Sequence, residues 1–179
     1  ILLCAGKSKR VNDFDKSIIN LNNKPVFFHS LEKLIDSKKI NKIIIVASKD
    51  NNEFIKDYLS LNNFNNTEII LGSTERKYSV KNALTYISKY NPQNVIIHDS
   101  ARPYFNKDII FKGLKFLDNH TCVIPAVKIV DTVKKIKIDK VLSTIGRDNL
   151  YYSQTPQFFD YDKLKNLVLE QIDKKSYTD

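Results

Sequence analysis

The sequence predicts an α/β domain with a doubly wound, mostly parallel sheet, because three features of its 179 residues agree. Short apolar runs alternate with amphipathic stretches from end to end, as strands alternate with crossover helices. The runs are apolar on both faces, which is typical of a sheet covered by helices on both sides. The hydrophobic content of 42% suffices for one core, and no shift in composition divides the chain, so we expect a single domain over 1–179.

The predicted strands are the five apolar runs at 1–4, 43–47, 69–71, 95–98 and 122–127. Cys4 and Cys122 lie in two of these runs, and we expect both to be buried, reduced thiols that act as small hydrophobic side chains. The chain starts inside the first run without Met, so we expect the domain to be incomplete at its beginning.

The predicted helices are the amphipathic stretches between these runs. Pro25 suits the first turn of a helix that extends to Asp36, and Ser79 is expected to cap a later helix. The apolar stripes of the other helices are formed by Phe54, Tyr58 and Leu61, by Val80, Ala83, Leu84 and Ile87, and by Ile110, Leu114 and Leu117.

The pattern changes at Asp131, where apolar and charged residues begin to alternate: Thr132, Lys134, Ile136 and Ile138 precede a turn near Asp139. Half-polar alternation after the last core strand predicts a protruding β-arm over about 131–154. Such an arm needs a partner surface. A hairpin lying on its own domain fits the pattern equally well.

The formal net charge of +9 permits a nucleic-acid interface, but the lysines are spread over nearly every segment. Dispersed charge is more typical of a solvated surface, and the aromatic residues Phe27, Phe54, Tyr58 and Phe111 fall in helical patterns, where we expect them to pack in the core. No apolar stretch approaches the ~20 residues that a membrane helix needs, and the first residues do not resemble a secretory signal. Phosphorylated small substrates would also benefit from the positive field.

Ligands of doubly wound sheets bind beyond the carboxyl ends of the strands, where this sequence has polar loops at 6–16, 72–79 and 99–103. The first loop begins with Gly6 and brings cations up to Arg10 and Lys16, which suits a polyphosphate, although a solvated turn has a similar composition. The sequence contains neither the P-loop pattern nor the dinucleotide-binding glycine fingerprint. Kinase, P-loop NTPase and dehydrogenase functions therefore lack their motifs.

The third loop contains a candidate metal ligand, Asp99, at the end of a predicted strand. A carboxylate there can bind Mg²⁺ together with phosphate oxygens, although it can also form a turn or pair with Arg102. We expect His98 to be packed or hydrogen-bonded rather than catalytic. In a later polar cluster, Arg147 is a candidate phosphate clamp or a surface ion-pair partner, and Pro156 restrains Thr155 to extended geometry.

Taken together, these loops resemble the 2-C-methyl-D-erythritol 4-phosphate cytidylyltransferases of the non-mevalonate isoprenoid pathway. The matching segments are LCAGKSKR, DKS, NKPVFFHSLE, GSTERKYSV, HDSARP, PAVKIVDTVKK, RDNLYYSQTPQFF and a terminal TD, which together span essentially the whole chain. The resemblance implies a Rossmann-like nucleotidyltransferase that transfers CMP from CTP to 2-C-methyl-D-erythritol 4-phosphate and releases pyrophosphate.

The resemblance also implies residue roles. It implies that Arg10 and Lys16 stabilise charge at the α-phosphate, and that Asp99 binds Mg²⁺ or another divalent cation. The implied nucleotide contacts are Ala5, Gly6, Gly72, Arg76 and Ser79, and the implied contacts to the alcohol phosphate are Arg102, Thr132, Arg147 and Thr155. In this family the arm of one subunit reaches the active site of the other, which implies a homodimer with no nucleic-acid or membrane partner. The expected location is the cytoplasm of a bacterium, or a plastid.

The chain departs from the family pattern at two positions of the first loop. Ser8 stands where a glycine is usual, and Asp15 stands where a proline usually precedes the lysine. The family also continues beyond Asp179, with a second metal-binding carboxylate and a lysine, so we expect the domain to be incomplete at this end too.

Two other functions remain open from the sequence. A ribitol 5-phosphate cytidylyltransferase shares the fold and the QTPQ-like segment, although Ala101 and the run from Asp131 to Lys134 favour the isoprenoid enzyme. A noncatalytic basic protein that binds nucleotides or RNA is an alternative of another class, and it predicts clustered cations with exposed aromatic rings.

Overall fold

The computed structural model describes residues 1–6, 15–62, 64 and 66–172 and has a six-stranded central sheet in the order β5-β4-β1-β6-β12-β7. The strands are β1 (Leu2–Leu3), β4 (Ile43–Ala47), β5 (Thr67–Leu71), β6 (Asn94–Asp99), β7 (Cys122–Val123) and β12 (Gln157–Asp160). Strands β5, β4, β1 and β6 are parallel, whereas β12 is antiparallel to both of its neighbours. The predicted doubly wound, mostly parallel sheet is confirmed.

In the described part of the chain, five α-helices cover the sheet: α1 (Val26–Asp36), α2 (Asn52–Leu61), α3 (Arg76–Ile87), α4 (Asp108–Leu117) and α5 (Tyr161–Gln171). Alternate strand residues enter two separate cores, since Leu2 and Ile45 pack with α1 and α2, whereas Leu3 and Val46 pack with α3. Burial on both faces explains why the strand sequences are continuously apolar.

Three expectations about burial and helix ends are wrong. Cys122 is exposed, because β7 is a two-residue strand at the edge of the six-stranded sheet, next to β12. The run 122–127 leaves this sheet after Val123. Phe54 and Phe111 are exposed, because the buried positions of their helices are neighbouring ones, such as Ile55 and Ile110. Ser79 does not cap α3, which already begins at Arg76.

Two elements at the end of the chain were not predicted. Strand β12 lies between β6 and β7, and it leads directly into α5, whose Tyr161 is buried in the α3 core. Asp160 caps α5 by accepting a hydrogen bond from the Lys163 amide at 3.0 Å.

Residues 126–153, which we call the arm, form two antiparallel pairs of strands. Strand β8 (Ala126–Lys128) pairs with β11 (Tyr151–Ser153), and β9 (Val133–Lys137) pairs with β10 (Lys140–Ile145). Most arm side chains are exposed, including Val130 and Ile138, which are 73% and 85% exposed. A smaller hairpin, β2 (Asn20–Leu21) with β3 (Lys24–Pro25), precedes α1. Among the described residues, no helix is long and apolar enough to cross a membrane.

Candidate active site

A cavity of about 400 Å³ lies where β1, β5 and β6 end, at the carboxyl edge of the parallel strands. Each of the three polar loops contributes to it, as expected for this type of sheet. Its lining comprises Leu3, Cys4, Ala5, Gly6, Lys16, Ser17, Ser73, Thr74, Glu75, Arg76, Ser79, Asp99, Ser100, Ala101 and Arg102. The structure therefore brings together seven predicted site residues from separate loops: Ala5, Gly6, Lys16, Arg76, Ser79, Asp99 and Arg102.

Asp99 lies between two arginines at the end of β6. Its Oδ1 is 3.3 Å from Nε of Arg76, and its Oδ2 is 3.4 Å from Nε of Arg102. Arg102 also donates a hydrogen bond from Nη1 to Oε1 of Gln154 at 2.6 Å. The carboxylate of Asp99 thus pairs with Arg102 and also lines the cavity, where a metal ion could reach it.

The loop before α3 is held by the hydroxyl of Ser79. Its Oγ accepts the Ser73 amide at 2.9 Å and lies 3.2 Å from the Ser73 carbonyl. Gly72 packs so closely that an added Cβ would lie 2.7 Å from Cβ of Ala5 and 2.8 Å from Oγ of Ser79. These contacts bring the 73–76 loop and the first turn of α3 against the end of β1, and the N-terminus of a helix favours an anion.

Buried side chains beneath the cavity hold the third loop, residues 99–103, in place. Nδ1 of His98 and Oγ1 of Thr155 are 2.8 Å apart, and the hydroxyl of Ser30 donates to the Ser100 carbonyl at 3.0 Å. Burial lowers the pKa of His98 to about 4, so the imidazole is neutral at pH 7. As expected, His98 is packed and hydrogen-bonded.

The thiol of Cys4 also lies in the cavity wall. Burial raises its pKa to about 12, although a hydrogen bond from Ser100 opposes the shift. The thiol is therefore protonated at neutral pH, and the expectation that Cys4 is a buried apolar side chain is confirmed.

The cavity lining does not include Thr132, Arg147 and Thr155, which are also predicted site residues. Arg10 lies outside the described residues. Thr132 and Arg147 are exposed in the arm, where Nη1 of Arg147 donates to the Val130 carbonyl. Thr155 is not an arm residue: it is 5% exposed and lies directly beneath Asp99 of the same chain.

Asn51 is a polar residue that sequence reasoning missed. It follows β4, is fully buried, and donates from Nδ2 to Oδ2 of Asp15 at 2.6 Å, next to Lys16. The polar segment after the 43–47 run was the available signal, since it too lies at the carboxyl end of a parallel strand.

Comparison with known proteins identifies the family. A family model described as 2-C-methyl-D-erythritol 4-phosphate cytidylyltransferase matches residues 1–179. The chain belongs to this family. A cytidylyltransferase of this name from Clostridium botulinum is 35% identical over 97% of the chain, which covers 75% of that relative. The "Bifunctional enzyme IspD/IspF" of Pelagibacter ubique is 42% identical over 93% of the chain.

Solved structures of cytidylyltransferases share the fold. The 4-diphosphocytidyl-2C-methyl-D-erythritol synthase of Anaerococcus prevotii superposes with a TM-score of 0.85 at 29% identity, over 99% of this chain and 78% of that one. The bifunctional IspDF of Campylobacter jejuni superposes with a TM-score of 0.78 at 27% identity, over 99% of this chain. The chain spans 44% of each bifunctional protein. Family membership identifies a nucleotidyltransferase, and it favours neither the ribitol enzyme nor a noncatalytic RNA-binding protein.

Proposed function

We propose that this chain binds CTP in the cavity and transfers CMP to 2-C-methyl-D-erythritol 4-phosphate, releasing pyrophosphate, as a step of isoprenoid precursor biosynthesis. The observation that carries the proposal is the convergence of Lys16, Asp99 and the start of α3 on one cavity in a chain that belongs to this family along its whole length. The cavity has three described cations, Lys16, Arg76 and Arg102, which suit a triphosphate.

The proposed chemistry is an in-line displacement. A phosphate oxygen of the methylerythritol substrate attacks the α-phosphorus of CTP, a new P–O bond forms, and the bond to the bridging oxygen of the β-phosphate breaks. The electron pair of that bond leaves with pyrophosphate. Lys16 would stabilise negative charge around the α-phosphorus, and we assign the same role to Arg10. No protein nucleophile is needed, which agrees with a neutral His98 and a protonated Cys4.

A divalent cation fits this site only together with the nucleotide. Among the described residues, no three His, Cys, Asp or Glu side chains are grouped as a metal site, and the carboxylates in the cavity lining are those of Asp99 and Glu75. Magnesium is commonly bound by one or two carboxylates plus substrate phosphates, which matches this arrangement. We propose that Asp99 holds Mg²⁺ or another divalent cation. When bound, the ion neutralises charge on the phosphates.

The loop before α3 is the proposed contact for the nucleoside. Ser79 holds Ser73 through its backbone, and Gly72 permits the loop that follows β5 to approach Ala5, which follows β1. The exposed backbone of 73–75, with Ala5 and Gly6 opposite, would contact cytosine and ribose. In this proposal Arg76 supports the loop through its ion pair with Asp99.

The alcohol phosphate is proposed to bind between two subunits. Arg102 and Thr155 lie at the third loop of this chain, whereas Thr132 and Arg147 lie on the exposed arm. We propose that the arm of a second copy brings Thr132 and Arg147 to the cavity in a homodimer. The exposed apolar side chains of the arm, Val130, Ile136, Ile138, Val141 and Leu142, support an interface there. We propose no nucleic-acid or membrane partner, and the cytoplasmic location stays a prediction.

The test measures pyrophosphate release from CTP, Mg²⁺ and methylerythritol phosphate, with ribitol 5-phosphate in parallel. We expect release to require the methylerythritol substrate and Lys16→Ala to lower kcat by at least about 100-fold, the usual effect of removing one charge-stabilising donor. Lys112→Ala, which removes an exposed lysine of α4, should keep the parent rate. Release with ribitol phosphate alone would reassign the substrate, and a folded dimer inactive with both would refute the transferase.

A further inference from the structure

Asn51 lies at the N-terminus of α2 but does not cap that helix. Its side chain makes no capping bond to α2; instead its Oδ1 accepts the Ser48 amide at 2.8 Å. Its Nδ2 faces the opposite way and lies 2.9 Å from the Cys4 carbonyl and 2.6 Å from Oδ2 of Asp15. A fully buried amide is thereby hydrogen-bonded at both ends to the ends of β1 and β4 and to the loop that carries Lys16.

Asp15 closes a turn around Lys16. Its Oδ1 accepts the amide of Ser17 at 2.9 Å and also the Ser17 hydroxyl, so the backbone is fixed on the far side of Lys16. The Ser17 hydroxyl in turn lies 3.1 Å from Nδ2 of Asn51. Asp15, Ser17 and Asn51 are thus each hydrogen-bonded to the other two. Lys16 lies between Asp15 and Ser17 in the sequence.

This set leaves the lysine, and not the carboxylate, in the cavity. Lys16 and Ser17 line the cavity and Asp15 does not, although Asp15 is the immediate neighbour of Lys16. The hydrogen bonds from Asn51 and Ser17 hold both carboxylate oxygens of Asp15 outside the cavity lining. Ser17 is 3% exposed and its carbonyl accepts the Phe27 amide at 2.8 Å, which ties the turn to α1.

We propose that Asn51 and Asp15 are positioning residues that hold Lys16 at the α-phosphate of the nucleotide. The inference deepens the function proposed above and rests on it for the identity of the phosphate. Neither residue touches substrate. Asn51 supplies the donor and Asp15 the acceptor of the bond that joins the Lys16 turn to the central sheet. Positioning errors on the order of 1 Å can cost about 100-fold in rate.

The kinetic test uses Asn51→Asp, which keeps the shape but replaces the Nδ2 donor by a carboxylate facing Asp15. We expect kcat to fall about 10- to 100-fold with the KM for CTP changed less than about threefold, because the lysine acts mainly on transition-state charge. Asn52→Asp adds the same charge one residue later, outside the cavity lining, and should keep the parent kcat. The double variant Asn51→Asp/Asp15→Asn restores one donor and one acceptor and should recover part of the loss.

A second measurement does not depend on turnover. Pyridoxal 5′-phosphate, an anionic aldehyde, is reduced onto lysines with borohydride, and the labelled fraction of Lys16 is read by mass spectrometry. We expect CTP to protect Lys16 in the parent and Asn51→Asp to reduce its labelling several-fold, with Lys112 labelling unchanged. Unchanged Lys16 labelling and kcat in a folded Asn51→Asp protein would overturn the inference. An inactive parent whose Lys16 labelling still depends on Asn51 would refute the proposed transferase and retain the positioning role.

Discussion

Nδ1 of His98 lies 2.8 Å from Oγ1 of Thr155, and the same hydroxyl oxygen accepts the Asp99 amide at 3.3 Å. The Thr155 hydroxyl can donate to an unprotonated Nδ1, or it can accept from Nδ1–H through its second lone pair. The bond beneath Asp99 is therefore kept in either protonation state of Nδ1. Burial of the ring, and not this hydrogen bond, opposes the charging of His98 and lowers its pKa.

We expect folding stability to fall between pH 6.5 and pH 4 because of His98. Desolvation lowers the pKa of the buried ring from 6.5 to about 4, so below pH 6.5 the unfolded chain binds a proton that the folded chain binds only near pH 4. The loss over this interval is about 3 kcal/mol, and it is absent above pH 6.5. Urea unfolding at a series of pH values measures it.

The matched variants for this prediction are His98→Gln and His120→Gln. Removing the buried ring should flatten the stability curve between pH 6.5 and pH 4, whereas removing the exposed ring of His120 should leave the curve as in the parent. Parallel curves for the parent and His98→Gln would contradict the assignment. Should His98→Gln not fold, an NMR titration of the His98 ring in the parent gives the same answer.

A second prediction concerns the close approach at Gly72. A Cβ there would lie 2.7 Å from Cβ of Ala5 and 2.9 Å from Cγ1 of Val46, both of them short, stiff side chains. Gly72→Ala must separate β1 from the 73–76 loop, so we expect a loss of about 1–3 kcal/mol in stability and weaker CTP binding. Calorimetric titration with CTP and thermal unfolding measure the two effects.

Gly146→Ala is the control, because an added Cβ at Gly146 meets nothing within 4 Å. It should bind CTP and melt as the parent does. If Gly72→Ala also behaved as the parent, the narrow contact between Ala5 and the loop would not be needed for the nucleotide site.

A third prediction concerns Lys33, a residue of α1 that binds the loop following β6. Its Nζ donates to the carbonyls of Pro103 at 2.7 Å and Phe105 at 3.0 Å, and it lies 5.4 Å from the centre of the Phe105 ring. Lys33→Met removes both hydrogen bonds, so we expect a loss of about 1–3 kcal/mol and faster amide exchange in residues 100–105. Hydrogen exchange by mass spectrometry shows where the protection is lost.

Lys56→Met removes an exposed cation of α2 and is the control for Lys33. Its exchange in residues 100–105 should match that of the parent. Equal exchange in Lys33→Met would mean that the buried bond from Ser30 to Ser100 is sufficient to hold the loop.

Much of the sheet could be predicted because its strands are buried on both faces. The run 43–47 was identified with the bounds of β4, and α1 ends at Asp36 as expected. Strand β12 was missed because QFFD follows Pro156 in a polar segment and becomes buried only through pairing with β6 and β7. Burial that comes from long-range pairing produces no recognisable hydrophobic periodicity in a strand of only four residues.

The candidate site also contains residues that the sequence predicts and a residue whose role it does not predict. Loops that follow parallel strands converge at one edge, so the sequence alone predicts that Lys16, Arg76 and Asp99 lie together. It does not predict the role of Asn51, because an asparagine before a helical stretch is typical of an ordinary N-cap. The direction of the Asn51 amide depends on Asp15, which is thirty-six positions away in sequence. The contact with Asn51 gives a structural role to Asp15, which stands where the family usually has proline.

The last prediction concerns Glu68, which joins the edge strand β5 to α3 and the 3₁₀ turn Ser88–Tyr90. Its Oε1 lies 2.6 Å from Nζ of Lys42, and its Oε2 accepts the hydroxyl of Tyr86 at 2.7 Å. The hydrogen bond from Lys42, followed by those from Tyr90 and Tyr86, lowers the pKa of Glu68 from 4.5 to about 2. This stabilisation is complete above pH 4.5 and is lost as the pH falls toward 2.

Glu68→Gln should therefore cost about 1 kcal/mol at pH 7, a value reduced from the full effect of the shift because the side chain is 28% exposed and screened by solvent. The difference from the parent should shrink as the pH falls from 4.5 toward 2, a lower interval than that of His98, so the two effects separate in one series of urea unfolding curves. Glu53→Gln, on the exposed face of α2, should match the parent throughout. A Glu68→Gln deficit that stayed constant down to pH 3 would show that the hydroxyl contacts of Glu68, and not its charge, stabilise this edge of the sheet.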